Sequence, residues 1–139
     1  MTAARNIPTS QNPDLATCTL LVEGNAIPQE VSVISVQVTK EIDKIPAAVI
    51  TISDGDPSSG DFEQSNSELF IPGKKIEIKL GYHSDETTVF KGIITTHAVK
   101  IREAHSVLVI TCKDEAVKMT VGKKSKHFAG MSDSDIASE

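Results

Sequence analysis

The sequence predicts an all-β fold, an antiparallel β-barrel of about six strands with short helical segments at its C-terminal end. The stretch from Lys75 to Tyr82 alternates, with Ile76, Ile78 and Leu80 on one side and Lys75, Glu77 and Lys79 on the other, the period-2 mark of a half-buried strand. Two more β-rich runs follow it, 87–101 and 106–113, each after a polar gap of hairpin length, so an antiparallel meander results. The chain has no Trp, one Tyr and four Phe, so its core must be built from Val, Ile and Leu, which favours strands over a cage of aromatic rings.

Taken in order, residues 1–16 contain Pro8 and Pro13 among polar side chains and predict a flexible N-terminal arm. The first strand runs from Thr17 to Glu23, with Cys18, Leu20 and Val22 facing one way, and Gly24-Asn25 turns the chain. A long alternating run, Val31 to Asp43, predicts a second strand bent or bulged near Lys40, with Ile34, Val36, Val38 and Ile42 on one face. Pro46 removes a ladder donor just ahead of the third strand, Ala47 to Ser53, on which Ala48, Ile50 and Ile52 point together.

Residues 54–67 then form a loop insertion, longer than most connections in compact domains. Its acids suggest calcium, but counting from Asp54 an EF-hand loop would need Gly at position six and a carboxylate at position twelve, where Ser59 and Ser65 stand. Pro72-Gly73 sets a turn immediately before the Lys75 strand. At the far end Asp114 caps a short helical turn through Lys118, and Ser132 with Asp135 three places on forms a capping box. The domain thus extends over 17–122, and 123–139 opens a helical connection towards further chain.

The strand around Gly92 is apolar on both faces, because Val89 and Phe90 are adjacent, as are Ile93 and Ile94. Either Gly92 marks a bulge that swaps the faces and bends the sheet, or the outer face of these four residues is covered as an assembly surface.

A net charge of −5 argues against a general nucleic-acid binder, which needs a positive field. The charge is uneven: 54–68 carries five acids and no base, and 113–127 carries five Lys against Asp114 and Glu115. No apolar run is long enough for a membrane helix, so membrane insertion is not expected. Cys18 and Cys112 fall at apolar-phase positions and read as buried free thiols, with a bridge between them left open. No catalytic, cofactor-binding or metal-binding set emerges. His83, His97, His105 and His127 share no ligand spacing, and His83 near Asp85 reads as a solvated turn. The chain is therefore expected not to be an enzyme and to need no cofactor.

Ile52-Ser53-Asp54-Gly55-Asp56-Pro57, Phe70-Ile71-Pro72-Gly73, the Ile76 to Tyr82 strand, Val89-Phe90-Lys91-Gly92-Ile93, Cys112-Lys113-Asp114 and Lys118-Met119-Thr120 follow one another in this order. Together they resemble the N-terminal region of VgrG spike proteins of type VI secretion systems, which are similar to the baseplate hubs of contractile-tailed phages. The resemblance runs from about Leu20 to Glu139 and offers no catalytic residue.

What the resemblance implies is the front part of a longer hub protein, whose barrel packs beside a second barrel. The full-length protein would be a homotrimer that docks on a hexameric tube protein, with baseplate components and effectors as further partners. Assembly would take place in the bacterial cytoplasm, and contraction would deliver the protein to a target cell. This sequence stops before the second barrel, the neck and the spike. A small β-barrel domain binding oligonucleotides or carbohydrates is the alternative, set against the five rings available, Phe62, Phe70, Tyr82, Phe90 and Phe128.

Overall fold

A computed structural model of the chain describes residues 16–55, 60–82, 85–101, 105–123 and 125–138. Among the described residues there are seven strands: β1 (Ala16–Val22), β2 (Asn25–Ala26), β3 (Val33–Thr39), β4 (Ala47–Ser53), β5 (Lys75–Tyr82), β6 (Asp85–Lys100) and β7 (Val107–Lys113). Two short helices, α1 (Glu63–Asn66) and α2 (Asp133–Ser138), and a 3-10 helix over Glu115–Thr120 complete the described elements. Of the expected N-terminal arm only Ala16 lies within the described residues, and it belongs to β1.

All strand pairs are antiparallel and form one sheet, ordered β2-β1-β5-β6-β7-β4-β3. The meander β5-β6-β7 is its centre, as the alternation predicts. The expected closure into a barrel does not occur, because β3 and β2 are the two ends of the sheet and do not pair. The sheet is nevertheless strongly curled. Laid flat, six strand spacings would separate the ends by about 29 Å. The link from Ala26 to Val33 spans at most about 25 Å when fully extended, and it contains a turn in which the Val31 amide donates to the Pro28 carbonyl at 3.1 Å.

Curling lets both halves of the sheet feed one core. Leu20, Val22, Ile76, Ile78 and Phe90 from one half join Ala48, Ile50, Ile52, Ile94, Leu108, Ile110 and Cys112 from the other, and Phe70 from the loop fills the space between. Each large aliphatic or aromatic side chain in this set contributes about 1.5–3 kcal/mol by leaving water. Sixteen-residue β6 is the hinge of the arrangement, since it pairs with β5 over its first half and with β7 over its second.

Three local expectations change. The bulge in β3 falls at Ile34, between Val33 and Ser35, and not near Lys40. The extra residue turns Ile34 outward, 58% exposed, while Val33, Val36 and Val38 pack against the core. The ladder ends at Thr39, so Ile42 belongs to the β3–β4 connection and is 92% exposed. Cys18 is exposed because it sits at the start of β1 beyond the core, whereas Cys112 is fully buried; both thiols are free.

Candidate functional site

The residues singled out by sequence converge where β5 begins, β6 changes partners and β7 ends. Pro72 and Gly73 occupy the two central positions of a turn closed by the Lys74 amide on the Ile71 carbonyl at 3.3 Å. Gly73 has φ of 100°, the left-handed conformation that a type II turn requires at its third residue. The turn is pinned to β6 on both sides: the Gly73 amide donates to the Ile94 carbonyl at 2.8 Å, and the Ile94 amide donates to the Lys74 carbonyl at 2.9 Å.

Gly92 is not the bulge that the sequence suggested. It pairs in regular register with Ile76, and the register shifts of β6 fall on either side, at Val89 and at Thr95. Glycine is needed there because a Cβ would lie 2.2 Å from the Lys113 carbonyl oxygen and 2.8 Å from Cζ of Phe90. The two flanking bulges do the bending, and Gly92 lets the β7 backbone come close.

The four apolar residues around Gly92 separate accordingly. Phe90 and Ile94 are core residues, 2% and 1% exposed, so neither can form part of an assembly surface. Val89, the bulged residue, is half-buried and packs against the core. Ile93 is half-buried and lies in register with Lys75 on one side and Lys113 on the other. The outward apolar surface that remains is centred on Ile93.

Asp114 follows β7 and joins three elements. Its amide donates to the Pro46 carbonyl at 2.9 Å, its Oδ1 accepts from the Ala116 amide at 2.9 Å, and its own carbonyl accepts from Val117. The cap is the expected one, opening a 3-10 helix through Thr120.

A groove of about 590 Å³ runs over this region, lined among others by Glu23, Lys75, Glu77, Lys91, Asp114 and Glu115. Its charges are largely engaged with one another. Lys91 lies 3.4 Å from Glu77, and Lys75 and Lys118 each lie 3.6 Å from Glu115. The Thr88 hydroxyl donates to Glu77 at 2.6 Å, and this bond, reinforced by Lys91, holds the Glu77 carboxyl below its usual range. The Lys75 amide donates to Glu23 Oε1 at 2.6 Å. Such an arrangement offers a polar surface whose acids and bases lie in pairs.

One structural position was not assigned by sequence. Asp54 is 4% exposed, and its carboxylate accepts three amides: Gly55 and Gln64 on Oδ1 at 2.9 and 3.0 Å, and Ser65 on Oδ2 at 2.9 Å. It therefore latches α1 to the end of β4. The signal that could have found it is phase, since Asp54 continues the buried series Ile50, Ile52. His97 secures the other end of the same loop, with Nδ1 3.3 Å from the Phe70 carbonyl and Nε2 3.4 Å from the Ser65 hydroxyl.

Among the described residues no group of three His, Cys, Asp or Glu is placed to hold a metal ion, and no helix is long and apolar enough to cross a membrane. His83 lies outside the described residues. Phe70 and Phe90 are in the core, which leaves Tyr82 and Phe128 as exposed rings and Phe62 half-buried.

Comparison with known proteins gives a family and a set of similar structures. No curated protein matches the chain. Among solved structures, the chain is similar to the tail protein from Neisseria meningitidis MC58, with 14% identity, a TM-score of 0.49, and coverage of 73% of this chain and 25% of that one. It is also similar to the 43 kDa tail protein of prophage MuSo2 from Shewanella oneidensis, with 9% identity, a TM-score of 0.49, and coverage of 81% and 31%. The chain thus spans between a quarter and a third of the length of these two proteins. A family model matches residues 12–139; it describes the Alg8 N-terminal domain rather than the VgrG proteins that the motif series resembles. By that match the chain belongs to the Alg8 N-terminal domain family.

Proposed function

We propose that the chain is a structural module of a contractile injection apparatus: the N-terminal hub part of a trimeric tip protein, of the type VI secretion kind, that docks on the hexameric tube and is expelled with it. The module acts by assembly and transmission of force, not by catalysis. Its partners in this reading are two further copies of the longer polypeptide, the tube protein, baseplate components and effectors. It is assembled in the bacterial cytoplasm and delivered on contraction.

The observation that carries the reading is what the ordered motif residues do. Pro72 and Gly73 pin β5 to β6, Gly92 admits the β7 backbone, and Asp114 ties β7 to the β3–β4 connection and to the following 3-10 helix. They hold a curled sheet in one shape, which is what a load-transmitting part requires.

Immunogold electron microscopy of contractile particles from producing cells tests the proposal, with antibody raised against this chain. Label confined to one tip of the tube is expected. Label spread along the tube, or absent from particles while the protein is abundant in the lysate, would overturn it.

A further inference from the structure

The two ends of the sheet are treated differently. At one end β1 is partly covered by β2, a strand of only two residues, and short edge strands are a usual guard against unwanted pairing. At the other end β3 presents seven residues, paired with β4 on one side; among the described residues no backbone bond reaches it from the other. It contains no Pro and no Gly, and residues 31–39 include no ionisable side chain, in a chain whose net charge of −5 repels its own copies elsewhere. The bulge at Ile34 lies near the start of β3, so Ser35 to Thr39 is a regular, open edge.

We propose that β3 is a joining edge between two copies of this chain, paired antiparallel about a two-fold axis at Gln37. The occupant follows from the pattern of the strand itself. In that register Gln37 faces its own equivalent, Val36 faces Val38 of the second copy, and Ser35 faces Thr39. The half-buried valines that pack against each core therefore meet valines, and the exposed polar residues meet polar residues. Of the registers that match both faces, the one about Gln37 pairs all five residues of the regular part of the strand, Ser35 to Thr39. The contact is isologous, with each copy supplying the same edge. It stands apart from the three-fold association proposed for the longer protein.

Sedimentation equilibrium of the whole chain tests the pairing, using variants at Gln37, an exposed side chain. Gln37→Lys and Gln37→Glu each place like charges opposite one another across the two-fold axis. Each is expected to raise the dimer dissociation constant about two- to fivefold, with thermal unfolding unchanged. An equimolar mixture of the two variants sets opposite charges at the axis and is expected to associate like the unsubstituted chain. A monomer at every concentration up to about millimolar, association that ignores both variants, or a mixture that fails to recover would each overturn the proposal.

Discussion

The α-carbon of Gly92 lies directly under the carbonyl of Lys113, so near that a single added carbon at Gly92 would sit 2.2 Å from that oxygen. The obstruction is backbone held in a ladder on both sides, and the second obstacle, Phe90, is a core ring. Neither can move without disturbing the sheet. Gly92→Ala is expected to cost about 3 kcal/mol, read as a lower urea midpoint. Gly73→Ala meets nothing within 4 Å but must hold φ of 100°, so it is expected to cost only about 1–2 kcal/mol. Equal losses at the two positions would contradict the close-approach account.

The Asp54 latch makes a second expectation. Asp54→Ala leaves three amides without their acceptor, two of them at the start of α1, and is expected to destabilise by about 2–4 kcal/mol. Asp54→Asn keeps one carbonyl oxygen for Gly55 and Gln64 but turns an amide group toward Ser65, so it should fall between. Hydrogen exchange resolves the mechanism: the Gln64 and Ser65 amides should lose protection before the β-ladder does. Uniform loss across the sheet would mean that Asp54 supports the core rather than the loop.

Much of this architecture was legible in the sequence because it is written in local periodicity. The meander, the buried face of β4 and both caps follow from alternation and turn chemistry within a few residues. What escaped was non-local. Whether the sheet closes depends on how far β3 lies from β2 at the other end, which no pattern within either strand records. The bulges at Val89 and Thr95 are mismatches between partners, so the glycine between them drew an inference that belonged to its neighbours. Asp54 was misread because its partners lie ten and eleven residues away, although its phase with Ile50 and Ile52 was visible throughout.

The capping box at α2 should respond to acid. Asp135 Oδ2 accepts from the Ser132 hydroxyl at 2.7 Å and from the Ser132 amide at 3.3 Å, and these bonds hold its carboxyl below the usual range. Because the folded form has the lower pKa, its contribution is present above the unfolded value and is lost as pH falls through the folded one. In an NMR titration the Ser132 amide should move with the Asp135 carboxyl, below the pH at which an ordinary aspartate titrates. Ser132→Ala should bring that midpoint back up; an unchanged midpoint would exclude the box as the cause.

The two thiols should separate under labelling and under alkali. Burial pushes Cys112 up to about 12, so in the native protein it is both inaccessible and un-ionised, whereas Cys18 is exposed. Ellman's reagent should therefore titrate one thiol in the folded chain and two after denaturation, with the native signal lost in Cys18→Ser. The Cys18 thiol is also raised, by partial burial and then by Glu86, so its reaction should be slow at neutral pH and quicken as pH rises. For Cys112 the linkage has a definite sign: the folded pKa lies above the unfolded one, so stability is intact below about pH 8.5 and declines above it. The slope approaches about 1.4 kcal/mol per pH unit until the buried thiol itself ionises. Cys112→Ala removes that slope while opening a small cavity, so its stability should be lower at neutral pH and flatter in alkali. A wild-type profile no steeper than that of the variant between pH 9 and 11 would show that the thiol ionises in place and would overturn the burial account.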